Sequence, residues 1–247
     1  MSVLVKVNSK IMKSRFFIIR LLVLLMFFSP TVFAGNICSA DQPFNRKEQK
    51  VSAEELVKWK LLGNGKVFNI LNGQTCLSEA EDSQGVMLMS PDSYGDVILK
   101  YKVLALTPAT VLVTILSASD ASDKNTLTIP SDYAGGMKLL NDDSRNYLLA
   151  YKNAPHGANP FILKNPGSSI SAHAAQPDRM VAGVYYDVEI TKSGKTISMR
   201  IDGKEMVSMQ DDAPLGKGHI LFRIRGTAGL TASCLIRDLR ILTPDNY

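Results

Sequence analysis

Residues 184–209 read VYYDVEITKSGKTISMRIDGKEMVSM. Three runs that alternate apolar and polar residues, 184–192, 195–201 and 204–209, are separated by Ser193-Gly194 and Asp202-Gly203. Alternation with a period of two puts successive side chains on opposite faces of a strand. An Asp-Gly pair between two such runs is a strong hairpin signal, because a type I′ turn demands positive φ at both central positions. The stretch predicts an antiparallel meander. Tyr186, Val188 and Ile190 fall on its core face, and Asp187 and Glu189 on the solvent side.

The same pattern continues in both directions. Toward the C-terminus come HILFRIR (219–225) and SCLIRDLRIL (233–242). Toward the N-terminus, KVFNIL (66–71) ends at a second hairpin signal, Asn72-Gly73. It is followed by GVMLMS (85–90), YGDVILKYKVLAL (94–106), ATVLVTILSAS (109–119), GMKLL (136–140) and RNYLLAYK (145–152). The Asp-rich stretch 120–134 reads as a loop. One segment reads as helix, SAEELVKWKLL (52–62), with Ser52 and Glu55 in capping-box spacing and Leu56 and Trp59 on one face. About ten strands with one short N-terminal helix predict an all-β fold, a two-sheet antiparallel sandwich or a barrel. No Pro/Gly/Ser-rich linker and no repeat interrupts it.

The first 34 residues predict a secretory signal peptide. Lys6, Lys10, Lys13, Arg15 and Arg20 form a basic region, LLVLLMFF (21–28) is a short apolar run, and Val32 and Ala34 suit cleavage before Gly35. The run falls short of the roughly 20 residues needed to span a bilayer. The expected organisation is a signal peptide over 1–34, an N-terminal arm with the helix over 35–62, and the sandwich over 63–247. The expected location is periplasmic or secreted, with no stable membrane insertion once the signal is cut.

Charge and cysteine content narrow the function classes. The chain carries 28 Lys+Arg and 23 Asp+Glu. Five of the basic residues and none of the acidic ones lie in the signal, so the remainder is electrically balanced. It lacks the basic footprint of a nucleic-acid-binding domain. Cys38, Cys76 and Cys234 have no metal-ligand spacing, so no metal site is expected. No cofactor motif is present. Export permits a disulfide, and Cys38 with Cys76 is the expected pair, tying the arm to an early strand. The Asp cluster SDASDKN (119–125) lacks the glycine and glutamate of an EF-hand loop and reads as a solvated turn.

In order, Trp59, FNILNG, YGDVILKYKV, YYDVEITKSGKTISMRIDGKEM, GHILFRIRG and IRDLRIL resemble the concanavalin A-like jelly-roll superfamily. The likeness runs over roughly residues 59–242. It implies two stacked antiparallel sheets, one of them bent around a groove that holds an extended poly- or oligosaccharide. That superfamily contains hydrolases, lyases and pure binders, so the site must decide the function.

NYLLAYKNAPHGANPFILKNPG (146–167) is expected to end a strand and rim such a groove. Tyr147 and Tyr151 lie two turns of the pleat apart on one strand face, where rings stack on sugars. Arg145, Asn153, His156 and Lys164 offer donors for hydroxyls or carboxylates, with Arg223 and Arg225 on a neighbouring strand. A polysaccharide lyase needs a base and a group that neutralises a carboxylate. His156 and Tyr147 are the candidate catalytic pair. Ligand contact without catalysis and a loop-bracing role for His156 are the other readings. A glycoside hydrolase needs paired carboxylates. Tyr185-x-Asp187-x-Glu189 falls one carboxylate short of the superfamily's Glu-x-Asp-x-Glu pattern. The alternative to a saccharide-binding protein is a non-catalytic interaction module of the cell envelope.

Overall fold

The structure, a computed structural model, describes residues 46–122 and 125–245. The predicted signal segment and Cys38 lie outside the described residues. Fifteen strands are present in this part of the chain: β1 (Arg46–Val51), β2 (Lys60–Leu62), β3 (Gly65–Ile70), β4 (Gln74–Glu79), β5 (Val86–Tyr94), β6 (Val97–Ala105), β7 (Val111–Asp120), β8 (Ser144–Lys152), β9 (Phe161–Asn165), β10 (Ile170–His173), β11 (Tyr185–Ser193), β12 (Thr196–Ile201), β13 (Lys204–Gln210), β14 (Gly218–Arg225) and β15 (Ser233–Pro244). They form two antiparallel sheets. The eight-stranded sheet runs β13-β12-β11-β6-β15-β4-β3, with β1 added beside the second half of β15. The seven-stranded sheet runs β10-β9-β8-β7-β14-β5-β2.

The meander expected from 184–209 is present as β11-β12-β13. Asp202 (φ 49°) and Gly203 (φ 75°) both sit in the left-handed region, as a type I′ turn requires. The Asp202 carboxylate also accepts the backbone N–H of Asp187 at 2.8 Å, which locks the turn onto β11. Val188 and Ile190 face the other sheet, and Tyr186 packs against the core they enter.

Between the sheets lies one apolar core, with Leu77, Leu88, Leu99, Leu149, Ile162, Ile190, Ile197 and Ile220 fully enclosed. Trp59 stacks on Phe222 at 5.8 Å, and Tyr101 meets the same ring edge-on at 5.0 Å. Hydroxyls buried in this core are satisfied by one another: Tyr101 bonds Thr114 at 2.7 Å and donates to Tyr151 at 3.0 Å. Cys76 and Cys234 are buried thiols on adjacent strands, but Cys76 lies opposite Leu235 and Cys234 opposite Leu77, so they point to opposite faces.

Local structure departs from the sequence reading at three places. The helix is a single turn, Ala53–Leu56, although its capping box forms as expected. Beyond it, Lys60–Leu62 joins the edge of the seven-stranded sheet through β5, and Trp59 and Leu62 are buried there. Residues 46–62 therefore contribute two strands to the sandwich itself. The expected strand at 136–140 is instead a turn running into a helical turn, Leu139–Asp143. The expected polar loop hides apolar residues that matter: Leu127, Ile129 and Tyr133, with Met137, Leu139 and Leu140 of the next segment, pack onto the outer face of the seven-stranded sheet. They cover Met87, Val113, Ile115, Leu148 and Leu221, forming a second apolar cluster.

Candidate functional site

That covering strap decides what the predicted groove residues do. Tyr147 and Tyr151 alternate with Leu148 and Ala150 along β8, and it is the tyrosines that face inward. Tyr147 is 0% exposed, so neither stacking on a sugar nor catalysis at the surface is open to it. Its phenol donates to Asp211 at 2.5 Å and accepts the backbone N–H of Leu215 at 2.9 Å. Burial, and then the bond to the Asp211 carboxylate, push this phenol well above the ordinary tyrosine range. A phenol so held does not serve as a base at neutral pH. The tyrosine pair and Tyr147 catalysis are thus corrected to core packing and bracing.

The remaining predicted residues are also committed elsewhere. Lys164 pairs with Asp211 at 2.7 Å and donates to the Ala213 carbonyl at 2.6 Å. Arg145 lies half-buried beside Tyr147 on β8. Asn153 is buried; its backbone N–H donates to Asp178 at 2.7 Å. Arg223 is only 5% exposed and lies beneath the strap, donating to the carbonyls of Gln84 (2.9 Å) and Gly135 (3.2 Å). Arg225 donates to Glu79 at 2.6 Å and to the Ser83 carbonyl. Both arginines thus brace loops, Arg223 under a closed face and Arg225 partly exposed. His156 is exposed on a one-turn 3₁₀ segment, Ala154–His156, and the structure brings neither tyrosine out to meet it. The 146–167 stretch is no continuous rim, because Phe161–Asn165 is a strand paired with β8.

An open depression lies on the other sheet. A cleft of about 800 Å³ spreads across the outer face of the eight-stranded sheet. Its floor is built by β6, β11, β12 and β15, its wall by residues 50–54, and the hairpin glycines Gly73 and Gly203 stand at its margins. Asp187 and Glu189 are in it, on the solvent side as the alternation required. Each lies directly opposite a lysine of β6. Lys102 meets Asp187 at 2.5 Å and Lys100 meets Glu189 at 2.9 Å.

The cross-strand registers turn these pairs into a continuous row. Glu205 of β13 lies opposite Arg200 of β12, which lies opposite Glu189, then Lys100, then Arg240 of β15, then Lys50 of β1. Arg200 stands 3.9 Å from both Glu189 and Glu205. A second row beside it carries Asp187, Lys102 and Arg237, the last stacked over the Tyr185 ring at 4.0 Å. A bulge in β15 between Arg237 and Arg240, with Asp238 at φ 56°, adjusts that strand so that both arginines reach the register of β6. Sequence reading placed Asp187 and Glu189 but missed Lys50, Lys100, Lys102, Arg200 and Arg240. The signal was present as charges alternating with apolar residues in VILKYKV, ISMRI and LRIL.

No family model matches the chain, and no curated protein matches it. Several solved structures do match over nearly their whole length. A protein of unknown function with a galectin-like fold from Bacillus subtilis superposes with a TM-score of 0.65 at 17% identity, covering 80% of this chain and 97% of that one. The fold is a jelly-roll β-sandwich. A prokaryotic β-1,3-1,4-glucanase (lichenase) derived from a mouse hindgut metagenome matches the jelly roll with a TM-score of 0.52 at 15% identity, over 81% of this chain and 100% of that one. A native glycosidic hydrolase gives a TM-score of 0.52 at 11% identity, over 82% and 97%.

Proposed function

We propose that the protein is exported to the periplasm or beyond and binds an extended poly- or oligosaccharide in the cleft of the eight-stranded sheet without cleaving it. The observation that carries this reading is the cleft itself. Its volume of about 800 Å³ lies within the range of small-molecule sites. It crosses several strands, so it suits a chain of sugars better than a compact ligand. Its floor presents carboxylate acceptors and ammonium and guanidinium donors already held in place by one another. Side chains fixed in advance lose less rotamer freedom when a hydroxyl-rich ligand arrives. The fold shared with a lichenase and a glycosidic hydrolase agrees with a saccharide ligand.

Binding without cleavage follows from the state of the candidate catalysts. Glycoside hydrolysis needs one carboxyl to donate a proton to the leaving oxygen while a second carboxylate attacks or activates water. Asp187 and Glu189 are both bound to lysine ammonium groups, and the Asp187 side chain is 64% exposed. Both already serve as ion-pair partners of the cleft floor. A lyase base is equally lacking in Tyr147. Signal cleavage before Gly35 supplies the route of export.

Calorimetric titration of the purified protein with neutral and acidic oligosaccharides, with product chromatography alongside, tests this reading. Saturable binding that weakens in Lys102→Ala and Arg200→Ala, with no new products, is the expected result. Absence of binding by any glycan would overturn it and leave a protein-binding envelope module, for which the exposed Phe68, Ile70 and Leu71 at the β3 edge are the natural surface. New products would overturn the non-catalytic part.

A further inference from the structure

The charged row across the cleft alternates in sign over four strands and then breaks the rule. It runs Glu205, Arg200, Glu189, Lys100, and then Arg240 and Lys50, two further cations. Neighbouring strands are about 4.8 Å apart, and like charges directly opposite each other destabilise a sheet. Three of the acids nearby already have a basic partner. Glu189 is held by Lys100, Asp187 by Lys102, and Asp238 lies 3.7 Å from Arg237. Glu54 at the lip of the cleft and Glu48, two residues before Lys50 on β1, form no ion pair with Lys50 or Arg240. Among the described residues, neither the Lys50 nor the Arg240 side chain has an ion-pair or hydrogen-bond partner.

Both side chains nevertheless line the cleft and are exposed. Their strands could hardly place them elsewhere. Val51 and Leu239 enter the core, so period-two alternation fixes Lys50 and Arg240 on the outer face. The sheet thus holds two adjacent cations without an ion-pair partner at one end of a site whose lining carries five basic and four acidic side chains. The missing element of the row is an anion.

We infer that the β1–β15 end of the cleft takes an anionic sugar, its carboxylate or sulfate ester lying between Arg240 and Lys50 while the ladder of ion pairs contacts neighbouring hydroxyls. This inference rests on the proposed saccharide site and specifies its ligand class. A planar guanidinium binds a carboxylate through two parallel N–H donors, and the Lys50 ammonium adds a point charge. The ligand supplies an anion to the run of three cations, Lys100, Arg240 and Lys50, with which the row ends.

The test uses the full exported protein and paired probes. Uronate oligosaccharides of several linkages are each compared with their carboxyl-reduced neutral counterparts, and sulfated glycans with their desulfated forms. The anionic member of at least one pair is expected to bind about tenfold or more tighter than its neutral twin, and to weaken as salt rises. The uronate and sulfate arms identify which anion is the ligand. Arg240→Glu and Lys50→Glu are each expected to lower that affinity by about tenfold or more. Lys195→Glu, outside the cleft, should leave it unchanged. Lys50→Glu has a second readout, because it places an acid opposite Arg240: the free protein should melt no lower than the parent while binding is lost. Equal binding of neutral and anionic twins overturns the inference and leaves the saccharide site standing. Binding of no probe at all removes both. Anion binding unaffected by Arg240→Glu and Lys50→Glu also overturns it.

Discussion

Replacing Asp211 with Ala tests whether the Tyr147 cluster is a brace. The Asp211 side chain is 0% exposed and accepts three hydrogen bonds, from Tyr147 (2.5 Å), Lys164 (2.9 Å) and the Ala213 N–H (3.0 Å). The substitution leaves a buried phenol and a nearly buried ammonium without their acceptor. Removing one partner of a buried pair costs about 3–5 kcal/mol. Lys164 keeps the Ala213 carbonyl and Tyr147 keeps the Leu215 N–H, so the lower end, about 3 kcal/mol, is expected. For a chain of this size that is a fall in Tm of roughly 6–12 °C. Urea unfolding followed by circular dichroism should show a lower midpoint with an unchanged slope. The effect also has a pH signature. Burial by itself raises the Asp211 carboxyl, but hydrogen bonds from Lys164, Tyr147 and Ala213 outweigh it and hold the group below its ordinary value. A group depressed on folding stabilises the protein above its unfolded pKa, near 4, and that contribution disappears as pH falls through the folded value. The gap between parent and Asp211→Ala should therefore be widest at neutral pH and close below about pH 4. Adding Lys164→Met should restore part of the loss, since the stranded charge goes with it. A cost below about 1 kcal/mol at pH 7, or a gap that does not narrow in acid, would refute the reasoning.

Three further outcomes follow from the strap and the β8–β9 connection. Arg223→Met removes the bonds to Gln84 and Gly135, so amide exchange over 125–143 should quicken by about tenfold or more; unchanged protection would show that the apolar contacts alone hold the strap. Gly135→Ala should destabilise the fold by more than about 2 kcal/mol in urea, because φ is +91° and a Cβ there would lie 1.7 Å from the Gly85 carbonyl oxygen; an unaltered midpoint would contradict that crossing. His156→Ala should change stability by no more than about 0.5 kcal/mol and leave glycan titrations unaffected, since the ring is exposed; lost binding would return the site to the β8–β9 connection.

Much of the sandwich was legible because its information is local. Asp202-Gly203 and Asn72-Gly73 demanded positive φ and so announced hairpins, and period-two runs told which side of β11, β12 and β14 was apolar. The same alternation correctly set Asp187 and Glu189 outside. It misled for Tyr147 and Tyr151, because β8 is apolar on both faces: period two sorts side chains into two sets but does not say which set meets the other sheet. The loop at 120–134 looked polar, and its few apolar residues carried no period to mark them as a cover.

By itself, then, the chain determined strands, turns, the capping box and the charge on each strand face, all properties of residues a few positions apart. Which strands became neighbours was decided only in three dimensions. Glu205, Arg200, Glu189, Lys100, Arg240 and Lys50 are scattered over more than 150 positions and become one row only through the registers of six strands. Likewise, only folding showed that the strap closes the face carrying Arg223 and leaves the opposite face open. Hydrogen-bond ladders between distant strands set those neighbours, and no local pattern encodes them.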